Sequence, residues 1–160
     1  MPENRASRKV GFGLGVILLA APLVTYFEGI ELKTYEDPVG IPTACIGETD
    51  KEIVLRGKFT RDECVAVLGA SLAEHADGVS KCITRPIKPY EAAAVLSWSF
   101  NIGTGAACSS TLVRKLNAGE EFCPELLRWD KAGGRVLPGL TKRRRAEFTL
   151  CSTGSWSPVK

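Results

Sequence analysis

Apolar and polar positions divide this 160-residue chain into three stretches of different character. Residues 1–9, MPENRASRK, are polar and carry Arg5, Arg8 and Lys9 against a single Glu3. Residues 10–27, VGFGLGVILLAAPLVTYF, contain no charge. Beyond them the pattern is that of a globular domain. Residues 40–58 are rich in Gly, Thr, Ile and Val in short apolar runs, which predicts a small β-hairpin or three-stranded sheet. From residue 60 the spacing is helical. Thr60 and Glu63 form a capping box ahead of CVAVLGASLAEHA. Pro89 opens YEAAAVLSWSFNIG, which Gly103 stops, and Ser109 or Ser110 caps TLVRKLNAG, which Gly119 ends. Pro124 begins a helix in ELLRWDKAGG, and a last helix runs from Thr141 through LTKRRRAEFTLCSTG to Gly154. The predicted architecture is α+β, a small β lobe and a larger helical lobe with a cleft between them, preceded by an N-terminal apolar helix.

The first 27 residues have the n-region and h-region arrangement of an export signal. The apolar run is 18 residues long, beyond the ~7 to 15 of a cleavable h-region. Its best small-residue site, LAAP, places Pro22 just after the cleavage point, so the segment reads as an uncleaved signal-anchor. As an anchor it is marginal. A helix of that length spans about 27 Å against a hydrocarbon core of roughly 30 Å. Its ten Val, Leu, Ile and Phe residues contribute roughly −3 to −6 kcal/mol of insertion free energy, and Gly11, Gly13, Gly15 and Pro22 add nothing. Outward exit drags a net of about +3 across the bilayer. An inside-negative potential of about 100 mV opposes that by roughly 7 kcal/mol. The geometry is that of a voltage-held latch.

Composition adds limits. A chain of this size forms one domain, with room for two lobes. The net charge of +3 is too small to argue nucleic-acid binding, and no nucleic-acid partner is expected. Lys142, Arg143, Arg144 and Arg145 concentrate part of it, either against an anionic polymer or as a solvated helix face. Six cysteines, Cys45, Cys64, Cys82, Cys108, Cys123 and Cys151, include no C-x-x-C pair for zinc or redox chemistry. Their even count suits three disulfides in an oxidising compartment, with the pairing open. His75, the single histidine, is read as a helix-surface residue. GFGLGV precedes no strand and is discounted as a nucleotide motif. Ser109, Ser110 and Cys108 have no base within helical reach and are discounted as nucleophiles.

Chemistry concentrates in YFEGIELKTYEDPVGIPTACIGET, residues 26–49. Glycosidic cleavage needs a proton donor for the leaving oxygen and a carboxylate that activates or steers water. Glu28 closes the first helix, with Gly29 suited to a left-handed C-cap. The helix macrodipole and the apolar neighbours Tyr26 and Phe27 favour the protonated acid. Asp37 stands in a Pro/Gly-flanked loop, more open to water and suited to the ionised form. Two carboxyls in dissimilar surroundings can divide acid and base roles, and Thr43 offers a hydroxyl to hold the attacking water.

The run Glu28-Gly29-…-Tyr35-…-Asp37-…-Thr43 resembles the catalytic signature of the phage-type lysozymes, glycoside hydrolase family 24. SWSFNIGTGAACSSTLVRKLNAG, residues 97–119, resembles the family's central helices. RWDKAGGRVLPGLTKRRRAEFTLC, residues 128–151, resembles the tryptophan, Gly-Gly and Gly-Leu-x-x-Arg-Arg-x-x-Glu segments of its endolysin branch. The N-terminal segment resembles the signal-arrest-release element of endolysins in this family. The resemblance implies a lysozyme-like fold with Glu28 as general acid, Asp37 as the carboxylate that positions or activates water, and Thr43 as its hydroxyl partner. Arg143, counted from the Thr-Gly-x-Trp ending, matches the arginine that pairs with the catalytic glutamate. Inverting stereochemistry implies acids about 6.5 to 9.5 Å apart. One departure is Glu48, where the family usually carries histidine.

The resemblance implies an endolysin that hydrolyses the β-1,4 link between N-acetylmuramic acid and N-acetylglucosamine in peptidoglycan. It implies no metal or organic cofactor, export to the host periplasm, initial tethering to the inner membrane through residues 10–27, and action as a monomer. Residues 28–160 would form the catalytic domain. While residues 10–27 lie in lipid, Glu28 is pinned at the bilayer surface, away from a cleft built from residues 37–151. A pore protein, a wall-binding module with a degenerate site and a lytic transglycosylase using Glu28 alone are the rivals.

Overall fold

The computed structural model describes residues 11–158; the basic stretch 1–9 lies outside them. The first helix, α1 (Leu14–Glu28), packs on the helical body. A hairpin follows, β1 (Glu31–Glu36) antiparallel to β2 (Pro42–Cys45), then one helical turn, α2 (Lys51–Val54). The rest is mostly helical: α3 (Arg61–Ser80), α4 (Pro89–Ile102), α5 (Thr104–Cys108) and α6 (Thr111–Ala118). A 310 turn (Cys123–Arg128) and a two-residue-strand hairpin, β3 (Lys131–Ala132) and β4 (Arg135–Val136), lead into α7 (Pro138–Thr153). This is the expected α+β arrangement, with the β hairpin as one lobe and the helices as the other.

The caps explain most of the boundaries. Thr60 Oγ1 accepts from the Glu63 amide at 3.2 Å while the Glu63 carboxylate accepts from the Thr60 amide at 2.7 Å, so the expected capping box starts α3. Ser110, not Ser109, caps α6 by accepting from the Val113 amide, and Gly119 ends it in the left-handed conformation at φ 77°. Helix α4 starts at Pro89 and stops at Gly103 as expected. Three segments differ from the sequence reading. The sheet begins earlier than residue 40, because Glu31–Glu36 supplies its first strand, and residues 51–54 form a helical turn capped by Asp50. ELLRWDKAGG is not one helix. Gly133 and Gly134, at φ 57° and 75°, make the two-residue turn that a tight hairpin requires, and this ends helical geometry before Lys131. Helix α7 starts three residues before Thr141, at Pro138, whose missing N–H costs nothing in the first turn.

Helix α4 is the axis of the core. Ala92, Ala93, Ala94, Val95, Leu96 and Trp98 are all buried on it, an apolar surface on every side that only a central helix can satisfy. Helices α1, α3 and α7 pack around it. Helix α1 contributes Val16, Ala20, Leu23 and Val24 and leaves Leu14, Leu18 and Leu19 exposed. Among the described residues no helix is long and apolar enough to cross a membrane. The β lobe has its own small cluster, Ala44, Cys45, Val54, Phe59 and Cys64.

Three disulfides resolve the open pairing: Cys45–Cys64, Cys82–Cys108 and Cys123–Cys151. Each joins neighbours in the cysteine order. The first ties β2 to the start of α3, the second ties the region after α3 to α5, and the third ties the 310 turn to α7. Closing loops of 19, 26 and 28 residues restricts the unfolded chain by about 3 kcal/mol each in the loop-entropy description.

Candidate active site

Glu28 is the last residue of α1, and Gly29 turns the chain toward β1 at φ 73° and ψ 172°. The expected positive φ is present, but with an extended ψ in place of the left-handed helical value. This region belongs to glycine, since a Cβ meets the flanking carbonyls there. The turn leaves the Glu28 carboxylate beside a cavity of about 370 Å³ lined by Ile46, Gly47, Glu48, Thr49, Ser71, His75, Phe100 and Asn101. Its walls come from the loop after β2, from α3 and from the end of α4. It is the cleft between the lobes.

Arg143, on α7, forms an ion pair and a short hydrogen bond from Nη1 to Glu28 Oε1. The guanidinium is 4% exposed and the Glu28 side chain 27%, so the pair bridges the interior and the cleft. Behind it lies a buried network. Arg143 Nε donates to Glu147 Oε1 at 3.2 Å, Arg143 Nη2 donates to the Ser97 carbonyl at 3.3 Å, and Ser97 Oγ donates to Glu147 Oε1 at 2.7 Å. Arg144 Nε stands 2.9 Å from Glu147 Oε2, and Arg144 Nη2 donates to Asn101 Oδ1 at 2.7 Å. The Lys142–Arg145 run is therefore not a uniformly solvated helix face: Arg143 and Arg144 point inward. Burial pushes the Glu147 carboxyl above the usual carboxylate range, with Arg144, Arg143 and the Ser97 hydroxyl pulling the other way. The two guanidinium groups on either side favour the carboxylate over the neutral acid, against that burial.

Asp37 sits at the β1–β2 turn. Its Oδ1 accepts from the amides of Val39 at 2.9 Å and Ile41 at 2.8 Å, which fixes the carboxylate against its own loop. Thr43, 4% exposed, donates its hydroxyl hydrogen to the Ile41 carbonyl at 3.0 Å. The Asp37 amide donates to that same carbonyl. Ile41 thus links the two side chains. The structure brings Glu28 together with Arg143, and Asp37 together with Thr43 around Ile41. Asp37 and Thr43 are not among the residues lining the cavity beside Glu28.

His75, expected on a helix surface, is half-buried and lines the cleft. Its Nδ1 lies 2.9 Å from the Ser71 carbonyl, and its ring leans on Phe100 with centroids 4.8 Å apart. Asn101, Ser97 and Glu147 stand inside the matched segments, yet the sequence assigns them no role in the site. The i, i+3 and i+4 spacing of Arg143, Arg144 and Glu147 was the available signal, since it puts opposite charges on one helical face.

With the geometry in hand, the comparisons with known proteins are specific. The phage lysozyme family model, described as "Phage lysozyme", matches residues 25–147. A SAR-endolysin of Enterobacteria phage PA-2 is 35% identical, covering 96% of this chain and 98% of that protein. A SAR-endolysin of Escherichia phage Mu is 32% identical over 78% of this chain and 74% of its own length. Among solved structures, an endolysin from Escherichia coli O157:H7 phage FAHEc1 superposes with a TM-score of 0.77 at 27% identity, covering 88% of this chain and 94% of that one. The muramidase domain of SpmX from Asticaccaulis excentricus gives 0.74 at 26% identity, covering 84% and 95%.

Proposed function

The chain belongs to the phage lysozyme family, and on that premise we propose that it is an endolysin hydrolysing the β-1,4 bond between N-acetylmuramic acid and N-acetylglucosamine in peptidoglycan. Glu28 is the general acid, which protonates the leaving glycosidic oxygen. Asp37 is the carboxylate that steers or activates water, and Thr43 accepts a hydrogen bond from that water. The observation that carries the reading is the Glu28–Arg143 pair at the mouth of the cleft, joining residues 115 apart in sequence. A surface acid at a helix end has no reason to be met by a guanidinium that is 4% exposed. Arg143 fixes the aim of Glu28 by a direct ion pair.

The same reading covers regulation. Residues 1–27 are the export signal and inner-membrane anchor, residues 28–160 the catalytic domain in the periplasm, and one chain supplies every group the reaction needs, as a monomer would. Helix α1 carries Val16, Ala20, Leu23 and Val24 into the helical core and ends in Glu28. With those residues in lipid, Arg143 has no Glu28 to meet, and the enzyme is held inactive. The SAR-endolysin relatives support this part of the reading.

The test is a turbidity assay on cells with permeabilised outer membranes, run on wild type, Glu28→Gln and Asp37→Asn, with product analysis. Clearing by wild type with release of reducing ends, and loss of both in the variants, is expected. Products ending in 1,6-anhydro sugars would select the transglycosylase, and a fully lytic Glu28→Gln would end the assignment. Leucine at Gly13 and Gly15 should strengthen the anchor and leave an inactive membrane-bound protein. Full activity in that membrane fraction would refute the latch.

A further inference from the structure

Glu147 has no place in the chemistry above, yet it is the most enclosed acid of the described residues that carry the site, with 0% side-chain exposure. It touches both buried arginines, and each arginine reaches the cleft at its far end, Arg143 at Glu28 and Arg144 at Asn101. We propose that Glu147 is a positioning residue that sets the proton affinity and the aim of Glu28 through Arg143. The inference rests on the role of Glu28 as general acid.

The physical basis is charge balance in a dry cluster. Glu28, Arg143, Glu147 and Arg144 set two guanidinium groups against two carboxyls, with hydrogen bonds added by Ser97 and Asn101 while Arg144 Nη1 stays unpaired. A general acid must hold its proton until the leaving oxygen needs it. A guanidinium in direct contact works against that by stabilising the carboxylate. Glu147, on the opposite side of Arg143, draws part of that field onto itself and loosens the hold on Glu28. It also stops the Arg143 plane from rotating, since Nε and Nη2 are committed to Glu147 and the Ser97 carbonyl while Nη1 reaches Glu28. From the other elements at the cleft, Glu28 is faced by Glu48 in the loop after β2 and His75 on α3, while α4 offers the uncharged Asn101. The 310 turn packed against α7 carries Glu125 and Arg128, which pair with each other, and Glu125 also pairs with Lys115.

The experiment measures kcat and KM against pH on soluble peptidoglycan fragments, using the full folded chain. In Glu147→Gln the unrelieved Arg143 and Arg144 hold Glu28 ionised, so the alkaline limb of kcat/KM should move to lower pH by about one unit. At neutral pH kcat should fall about tenfold, with KM within about twofold of wild type. Arg144→Met should move the limb the opposite way, because one positive charge near Glu28 is gone and Glu147 has only Arg143 to serve. The double variant Glu147→Gln/Arg144→Met restores the balance and should return the limb toward wild type. A purely structural Glu147 would lower thermal stability and leave the limb in place in all three, overturning the proposal. If Glu147→Gln fails to fold, the upward shift in Arg144→Met decides alone, and its absence counts against the proposal. An active Glu28→Gln enzyme would sink the general-acid assignment itself, whereas an inactive one with unmoved limbs would sink only the role of Glu147.

Discussion

Glu28 and Asp37 are nine positions apart, yet the protein holds them by opposite means. Glu28 ends a helix and is gripped by a side chain from the last helix, which is itself gripped by Glu147 and Ser97. Asp37 is gripped by the backbone amides of its own turn, Val39 and Ile41. Long-range tethering makes the position of Glu28 depend on the docking of α1, α4 and α7 together. Local tethering lets the Asp37 loop form wherever the hairpin forms. One acid reports on the assembled fold, the other on four residues of turn. A site divided in this way can be complete in one half and disarmed in the other, which is what the proposed control through α1 would require.

The contrast can be broken most sharply at its functional end. Glu28→Gln should cut turnover about 10³-fold, within the range for loss of a general acid, with thermal stability little changed. Turnover within tenfold of wild type would remove the premise. Asp37→Asn should cost about 10²-fold, since the amide keeps an oxygen for the Val39 and Ile41 amides but loses the charge that steers water. Equal losses from these two variants, in single-turnover measurements on purified fragments, would erase the chemical asymmetry.

Smaller perturbations test the tethering itself. Gly29→Ala places a Cβ at φ 73° and should cost about 1–3 kcal/mol of stability. Its activity should fall further than the unfolded fraction explains, because the turn that aims Glu28 is the strained element. Thr43→Ala should reduce turnover about tenfold, the worth of one hydrogen bond to an oriented water, and lower stability by about 1 kcal/mol, since the buried hydroxyl no longer donates to the Ile41 carbonyl. As a control away from the cleft, Glu125→Gln should lower stability by about 1–2 kcal/mol at neutral pH, since Lys115 at 2.6 Å and Arg128 at 3.3 Å lose their partner. Lys115 and Arg128 hold the Glu125 carboxyl below the usual range in the folded state, outweighing burial. That stability is present above the unfolded value near ~4.3 and is lost as pH falls through the lower folded one. Melting curves of Glu125→Gln and wild type should therefore converge in acid, and a constant gap would exclude the ion pairs as the cause.

Local chemistry made much of this legible from the sequence. The Thr60–Glu63 box, Pro89 at the start of α4, and Gly103, Gly119 and Gly154 at helix ends are signals written within a few residues, and the fold obeys them. The sequence predicts one helix through ELLRWDKAGG from Pro124 because ELLRW has helical composition, whereas the Gly133-Gly134 turn sets a hairpin there. The disulfide pairing was beyond reach, since six cysteines constrain only each other until the elements carrying them are docked. The interior of the site escaped for a related reason. A run of four cations looks like a solvated face until an acid one turn further along α7 and an acid from α1 arrive to neutralise it. His75 was placed on the outside because the wall it helps to build belongs to two lobes, and only their meeting defines an inside.

The uncovered leucines of α1 carry a cost of another kind. Leu14, Leu18 and Leu19, at 70%, 63% and 41% exposure, are grease the folded protein has no use for, which the proposed anchoring in lipid would explain. Polar replacements there should raise the solubility of the folded protein and, if the proposed anchoring holds, weaken its hold on a bilayer, so directed evolution for shelf life alone would erode the proposed latch first.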